Sequence, residues 1–228
     1  MSGGAGPFAS PAWWFAGTHL AKVTKVKDPD GKGRVQVRIH AADPDGEALV
    51  WARVAVPFAG NNYGAFLLPS LDEEVVVVFP GADVRFAVVI GSLWTGAANL
   101  PEDLGGENVD RWTLTGRGGT RIAIVESALG QEMVEIETPG GASATLSDAA
   151  GGEIVLTVGT NTLTMDSSGV AIETKSEFSV QAATVVINSG SVSVTAGTSN
   201  FHGATTSKSH TTESLTSALY NSAPGNIW

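Results

Sequence analysis

The chain contains no cysteine, so neither disulfide bonds nor thiolate metal sites can hold its fold together. Charge is also missing from a long strip. Residues 178–207, FSVQAATVVINSGSVSVTAGTSNFHGATTS, include no Asp, Glu, Lys or Arg. The strip carries too many Ser, Thr and Asn residues for a membrane helix, so its stability must come from packing or assembly.

No targeting segment is predicted. Before the first charged residue, Lys22, the sequence MSGGAGPFASPAWWFAGTHLA has no basic start. Its Gly, Pro and Ser residues interrupt the apolar run that a signal peptide or membrane helix needs.

Basic residues are scarce in the second half of the chain. Residues 1–100 hold 8 basic and 9 acidic side chains, whereas residues 101–228 hold 5 basic and 14 acidic ones. This acidic excess repels phosphate backbones, and residues 1–100 have few aromatic side chains between their basic ones. We therefore expect no nucleic-acid partner.

The sequence shows no catalytic motif. Its histidines, His19, His40, His202 and His210, lie outside any G-x-S-x-G or H-E-x-x-H pattern, so a hydrolase has no visible nucleophile and base. Glu135 and its neighbouring carboxylates alternate with apolar residues, which indicates a solvated strand face. We predict that the chain is not an enzyme.

Two DPDG stretches, residues 28–31 and 43–46, resemble the start of a calcium-binding loop. Each lacks the third ligand and the closing Glu at position 12 of such a loop. Hairpin turns are the favoured interpretation.

Strand patterns fill the chain and indicate an all-β fold. Up to about residue 96, five long strands separated by turn residues predict a small closed barrel. In the loop between two of them, Tyr63 and Phe66 are the large anchoring side chains. From Trp112 onward the strands are shorter and their alternation is stricter, through WTLTG, RIAIVE, MVEIET, ATLS, EIVLTV, NTLTM, GVAIET, FSVQ, TVVIN, SVSVT and SNFH.

The spacing of the later strands favours an assembly of several chains. Apolar centres at Val170, Phe178, Val186, Val192 and Phe201 lie six to nine residues apart, which leaves no room for crossover helices. A hairpin meander would need two-residue Asn-Gly or Asp-Gly turns, which this region lacks. Single-chain β-helices have longer rungs. Three chains wound round one axis, a triple-stranded intertwined β-helix, are therefore predicted.

The barrel segment resembles the phage baseplate assembly protein V and VgrG family, the central spike of contractile tails and type VI secretion. That family has an oligonucleotide/oligosaccharide-binding (OB) type of barrel. The residues that carry the resemblance, in chain order, are Gly33-Arg34-Val35 and Val37, Trp51 with Arg53-Val54, Gly64 with Phe66 and Pro69, Glu74-Val75 with Val77 and Phe79, and Val89 with Gly91-Ser92-Leu93.

The resemblance implies a structural spike. It would be a homotrimer, seated on a baseplate hub protein and driven through the target cell envelope when a sheath contracts, so that it meets the target membrane only transiently. The implied location is a virion tail or extracellular injection particle, assembled in the bacterial cytoplasm without a signal peptide. A trimeric extracellular tailspike or adhesin that binds surface glycans is the alternative.

Five regions follow from these patterns. Residues 1–16 are predicted to be a hub-docking arm, 17–98 the OB barrel, 99–111 a linker, 112–210 the β-helix needle and 211–228 a distal tip or cap.

Aromatic and apolar clusters at the two ends are candidate contact sites. Trp13, Trp14 and Phe15 are candidates for docking into the hub, with packing against their own barrel as the alternative. At the distal end, a short helix or a frayed tail is predicted. An apolar cluster at this end is the candidate contact with the target or with a small PAAR-type tip protein. It consists of Leu215, Leu219, Tyr220, Ile227 and Trp228.

The resemblance also raises the question of a metal. Some short phage spikes close their apex with histidine pairs around an iron, so His202 and His210 are candidate ligands for iron or another metal ion. The alternative is that these two histidines face the solvent or form hydrogen bonds within the core. No other cofactor is expected.

Overall fold

The computed structural model describes residues 14–42, 48–96, 99–209 and 211. The chain divides into two units, Met1–Glu177 and Phe178–Trp228. Within the described residues the structure is all-β apart from short 3₁₀ turns. The described part contains no helix with the length and hydropathy of a membrane span.

Five strands of the first unit close into a barrel, as the sequence predicted. They are β1 (Thr18–Lys25), β2 (Val35–Ile39), β3 (Leu49–Val54), β6 (Glu74–Val78) and β7 (Val88–Leu93), joined in the order β1-β2-β3-β7-β6. All pairs are antiparallel except β3 with β7, which is parallel. A small hairpin of β4 (Ala59–Gly60) and β5 (Tyr63–Gly64) lies in the connection between β3 and β6.

The barrel core follows from strict alternation along its strands. In β2, Val35, Val37 and Ile39 are fully buried while the two residues between them are partly exposed. Successive side chains of a strand point to opposite faces, so this pattern places every second residue inside the barrel. Phe15 closes one part of the core, with its ring edge-on to Phe79 at 5.4 Å between centroids.

The first DPDG stretch forms a turn in which Arg34 and backbone amides donate hydrogen bonds to the carboxylate of Asp28. The carboxylate of Asp28 accepts hydrogen bonds from the backbone N–H groups of Asp30, Lys32 and Arg34 at 3.0 to 3.2 Å. It also accepts two from the Arg34 guanidinium at 2.9 Å. These bonds, those of Arg34 foremost, hold the pKa of Asp28 well below its usual range. The hairpin interpretation of this stretch is confirmed, whereas residues 43–46 lie outside the described residues.

A second sheet of seven strands follows the barrel. Its strands are β8 (Arg111–Thr115), β9 (Arg121–Val125), β10 (Met133–Glu137), β11 (Ala142–Ser147), β12 (Glu153–Val158), β13 (Asn161–Asp166) and β14 (Gly169–Glu173). Each strand pairs antiparallel with the next in sequence. They coincide with the first seven segments that the alternation predicted, from WTLTG to GVAIET.

The exclusion of hairpins was wrong for these seven strands. Gly159 and Thr160 form a two-residue turn between β12 and β13, where Gly159 adopts a φ of +60°. In the next turn, which follows Asp166, the carboxylate of that residue accepts hydrogen bonds from the backbone N–H of Ser168 at 2.7 Å and of Gly169 at 3.1 Å. Turn residues other than Asn-Gly and Asp-Gly therefore close this meander.

After β14 the described chain forms no further strand. Every residue from 175 to 209 is exposed, and the four segments FSVQ, TVVIN, SVSVT and SNFH have no strand partner in a single chain. The all-β class, with an OB-type barrel followed by further β structure, is confirmed. The winding of three chains into one β-helix stays a prediction.

The structure of the core predicts that alanine substitution of two isoleucines of the barrel has very different effects on stability. Ile39 is fully buried and Ile90 is 51% exposed. We expect Ile39→Ala to lower the free energy of unfolding by about 2 to 5 kcal/mol, because it removes buried methyl groups and leaves a cavity. Ile90→Ala is the matched control, with a loss below about 1 kcal/mol. Denaturant unfolding followed by tryptophan fluorescence measures both, and equal losses would contradict this description of the core.

Candidate functional site

The seven-stranded sheet has one apolar face. Cross-strand partners form a first row of Trp112, Ile124, Val134, Leu146, Ile154, Met165 and Val170. A second row consists of Leu114, Ile122, Ile136, Ala144, Leu156, Leu163 and Ile172. Directly opposed residues of paired strands lie on the same side of a sheet, so these fourteen residues share one side. We call them the apolar face.

The apolar face is largely uncovered in a single chain. Eleven of its fourteen side chains are more than a third exposed, including Leu114 at 62% and Leu156 at 44%. Around the first row the surface is concave, with a cavity of about 580 Å³ lined by Ile124, Val134, Leu146, Ile154 and Met165 among others. Monomeric soluble proteins rarely expose so continuous an apolar surface, which marks a site of interaction.

The opposite face of the sheet is mainly polar, although Ala123 and Val125 on it are buried, and it carries most of the ion pairs of the sheet. Arg121 of β9 and Glu135 of β10 lie opposite Thr115 and Ala123, and their side chains form a salt bridge of 2.6 Å. Glu135 was predicted to belong to a solvated strand face. Its carboxylate is instead about three-quarters buried and paired with an arginine.

Glu102 connects the segment after the barrel to this polar face. Its carboxylate accepts hydrogen bonds from Arg121 Nε at 2.6 Å and from Arg111 Nη1 at 3.4 Å, and Arg111 Nε also donates to Asp110 at 2.9 Å. The side chains of these four residues and of Glu135 are between 16% and 24% exposed. We call Glu102, Asp110, Arg111, Arg121 and Glu135 the linker clamp.

The electrostatics of the linker clamp favour its charged form. The hydrogen bond from Arg121 is the main cause that lowers the pKa of Glu102 below its usual value. The pKa of Asp110 is lowered mainly by its hydrogen bond with Arg111. Glu102 and Asp110 are therefore ionised at neutral pH. The ion pairs of the clamp fix the linker to the first three strands of the sheet.

Aromatic side chains project from the hairpin of β4 and β5. Tyr63 is 68% exposed and Phe66 is 84% exposed, so the expectation that they anchor this loop was wrong. The Tyr63 ring folds back over Gly60, where a Cβ would collide with it. Beside them lies an open cavity of about 400 Å³, with Val54 and Val56 in its wall. We call Phe58, Tyr63, Phe66 and Leu67, all exposed, the aromatic hairpin.

The structure places only some of the residues singled out from the sequence. Phe15 is buried against its own barrel, which is the alternative left open for that residue. Trp14 begins a 3₁₀ turn, Trp14–Ala16, and Trp13 lies outside the described residues. The tip cluster of Leu215, Leu219, Tyr220, Ile227 and Trp228 also lies outside them. Its role, like that of a hub-docking arm, stays a prediction.

The candidate metal ligands are not brought together by the described chain. His202 is exposed, and His210 lies outside the described residues. Among the residues that the structure describes, no group of three His, Cys, Asp or Glu side chains could hold a metal ion. A metal at the tip stays a prediction that one chain does not test.

The linker clamp predicts a pH-dependent contribution to stability. Because folding lowers the pKa of Glu102, its stabilisation is complete above the usual glutamate value of 4.5 and is lost as the pH falls through the folded value. We expect Glu102→Gln to lower the free energy of unfolding at pH 7 by about 1 to 2 kcal/mol, and less as the pH approaches 3. Denaturant unfolding at a series of pH values measures the difference.

Glu107→Gln is the matched control for that variant. Glu107 belongs to the same segment, is exposed, and has no ion pair among the described residues. A loss for Glu107→Gln as large as that for Glu102→Gln, or a Glu102→Gln loss that does not change with pH, would contradict the clamp.

Comparison with known proteins finds similarity in the barrel segment. The family model of the type VI secretion system/phage-baseplate injector OB domain matches residues 19–94. Similar curated proteins include the type VI secretion system spike proteins VgrG4b, VgrG1a and VgrG1c of Pseudomonas aeruginosa, which are 35%, 31% and 31% identical to this chain over 78 residues. Each alignment covers 33% of this chain and 10%, 12% and 11% of the respective relative. The match thus spans about a tenth of the length of these relatives.

The matched segment covers the barrel from His19, the second residue of β1, to Leu93 at the end of β7. The motif residues that suggested the family lie in it, and Val35, Val37, Val75, Val77 and Val89 are core residues. Their spacing of two residues is what alternate inward-facing positions of a strand require. The resemblance to VgrG-like baseplate spikes is confirmed for this part of the chain. Residues 19–94 are similar to the OB domain of the type VI secretion system and phage-baseplate injectors.

Proposed function

We propose that the chain is the central spike of a contractile injection machine and that it works as a homotrimer. The observation that carries this proposal is the apolar face of the seven-stranded sheet, which one copy leaves uncovered directly after an injector OB domain. Three copies that turn their apolar faces toward a common axis bury them together. Their polar faces, with the linker clamp, then face the solvent.

Burial of the apolar face favours assembly. Its eleven exposed side chains keep between 39% and 62% of their surface accessible. Covering the remainder contributes on the order of 1 kcal/mol for each side chain, and therefore on the order of 10 kcal/mol for each copy. Contact of these apolar side chains with water gives no comparable gain in free energy.

Three copies account for more of the chain than two. Two sheets packed face to face would cover the apolar faces as a sandwich. They would leave the backbone of residues 175–209 without strand partners, since this segment bends too often to lie in a flat sheet. Three chains wound around one axis give each extended stretch a neighbour above and below. The names of the VgrG relatives support the same role for this chain, a spike.

The barrel is proposed to seat the spike on a baseplate hub protein. The aromatic hairpin is the candidate contact, because exposed Tyr and Phe side chains are enriched at protein interfaces. The distal end would meet the target membrane transiently when the sheath contracts, either directly or through a small PAAR-type tip protein. Chains wound around each other separate only by unfolding, which suits a part that transmits an axial force.

Sedimentation of the purified chain tests the proposed assembly. We expect a species of about 70 kDa, three times the 23.4 kDa of one chain. A stable monomer at micromolar concentration would overturn the proposal, and a dimer would favour the sandwich instead.

A pair of neighbouring substitutions tests which face drives assembly. Leu156 belongs to the apolar face, whereas Thr157 is the next residue of the same strand and lies on the polar face. We expect Leu156→Asp to abolish the trimer, because three carboxylates would be buried near the axis without partners. Thr157→Asp introduces the same charge on the polar face and leaves the trimer intact. Sedimentation of both variants gives the answer, and two intact trimers would show that the apolar face is not the interface.

A further inference from the structure

Two arginines on the outside of the barrel have no acidic partner. Along β2 and β3, residues of the core alternate with residues of the outer surface, and Arg38 and Arg53 belong to the outer set. Within the described ranges, neither guanidinium forms an ion pair or a hydrogen bond. Two positive charges are therefore available on neighbouring strands.

Other arginines of the barrel are already paired. The guanidinium of Arg34 donates two hydrogen bonds of 2.9 Å to Asp28, and Arg85 lies 2.6 Å from a carboxylate oxygen of Asp83. The planar guanidinium group binds a carboxylate through two parallel hydrogen bonds. Arg38 and Arg53 retain this capacity for another molecule, because the described part of the chain does not use it.

A tryptophan held in place lies between the two arginines. Trp51 belongs to the outer set of β3, directly opposite Gln36 and two residues before Arg53. The guanidinium of Arg34 lies 5.7 Å from the centre of the Trp51 ring, and its hydrogen bonds to Asp28 keep it there. A partner that contacts Trp51 therefore does not have to order the ring first.

The register of β2 and β3 sets the distance between the two arginines. Arg38 lies opposite Leu49, which comes four residues before Arg53. At about 3.3 Å per residue, the two arginines are about 13 Å apart along the strands, and one strand spacing, about 4.8 Å, separates them across the strands. Leu49, which is 42% exposed, and Trp51 occupy the surface between them. The surface is thus apolar in the middle and positive at both ends.

We propose that this surface binds an extended acidic segment of a partner protein. We call Arg38, Leu49, Trp51 and Arg53 the arginine face. In an extended peptide every second side chain shares a side, so the first, third and fifth residues of a stretch span about 13 Å on one side. Two carboxylates four residues apart would accept hydrogen bonds from the two arginines, and an apolar side chain midway would contact the surface between them.

The number of available charges favours a short acidic peptide over a nucleic acid. Two guanidinium groups match two carboxylates, whereas tight binding of a phosphate backbone uses about 6 to 10 contacts. The net charge of −10 of the chain also repels a long polyanion. Arginine and tryptophan are the side chains that contribute most at the centres of protein interfaces. The proposal does not depend on the number of copies in the assembly, because the arginine face belongs to one barrel.

Two labelled peptides test the spacing on the full chain by fluorescence anisotropy, in about 50 mM salt to limit screening. The matched peptide carries two glutamates four residues apart with a leucine midway, in a Gly-Ser background. The shifted peptide has the same composition, but its glutamates are three residues apart and lie on opposite sides of an extended chain. Because only one carboxylate then reaches an arginine, we expect the shifted peptide to bind about threefold to tenfold more weakly.

Glutamine variants test the two arginines. Arg38→Gln and Arg53→Gln each remove one guanidinium and are expected to weaken binding of the matched peptide by about threefold to tenfold. Both side chains lie outside the core, so these variants keep the fold, which circular dichroism checks. Arg85→Gln is the matched control, because Arg85 is 79% exposed and already paired with Asp83. It is expected to leave the affinity unchanged.

Several results would overturn the proposal. They are equal affinities for the two peptides, an effect of Arg85→Gln as large as that of Arg38→Gln, and no binding of the matched peptide at about 1 mM. Tighter binding of a labelled oligothymidylate than of the matched peptide would also overturn it and would assign the arginine face to a nucleic acid. None of these outcomes bears on the proposed trimer, which sedimentation tests separately.

Discussion

The uncovered apolar face of the seven-stranded sheet is the constraint on which the proposed assembly of this chain depends. A sheet whose side chains are sorted onto an apolar and a polar side has to bury the apolar one against another layer. The barrel meets this requirement within one copy, because its five strands close around Val35, Val37, Ile39, Val75 and Val77. The sheet does not, and in our proposal two further copies provide the missing layer.

The linker clamp joins the barrel, which buries its core within one copy, to the sheet, which leaves its apolar face uncovered. Glu102 reaches Arg111 and Arg121 on the polar face, so the connection leaves the apolar face free for assembly. The barrel is therefore joined to the first strands of the sheet by charge-assisted hydrogen bonds as well as by the chain itself. The exposed aromatic hairpin lies on the barrel, away from these contacts in sequence, and is available for a different partner.

Several features could be predicted from the sequence and several could not. The alternation from Trp112 to Glu173 predicted all seven strands of the sheet, because alternation is a property of each segment alone. The exclusion of hairpins failed because Gly159 and the carboxylate of Asp166 close turns that a dipeptide rule does not include. Tyr63 and Phe66 were expected to anchor a loop, yet hydrophobicity does not reveal whether a loop residue turns inward. The linker clamp joins residues up to 19 positions apart, and no local pattern indicates such a pairing.

The residue pattern alone predicted the strands of the barrel and of the second sheet, which residues of each strand share a side, and the resemblance of the barrel to a known family. It also predicted four later strands that do not form in a single chain. These properties reside in short stretches of residues and in their spacing. The parallel closure of β3 on β7, the meander of the second sheet and the ion pairs across it became visible only in the three-dimensional structure. They depend on free energies of contact between distant parts of the chain. The same register aligned the apolar residues of seven strands into two continuous rows, so a surface that no single strand displays became the one that the molecule has to cover.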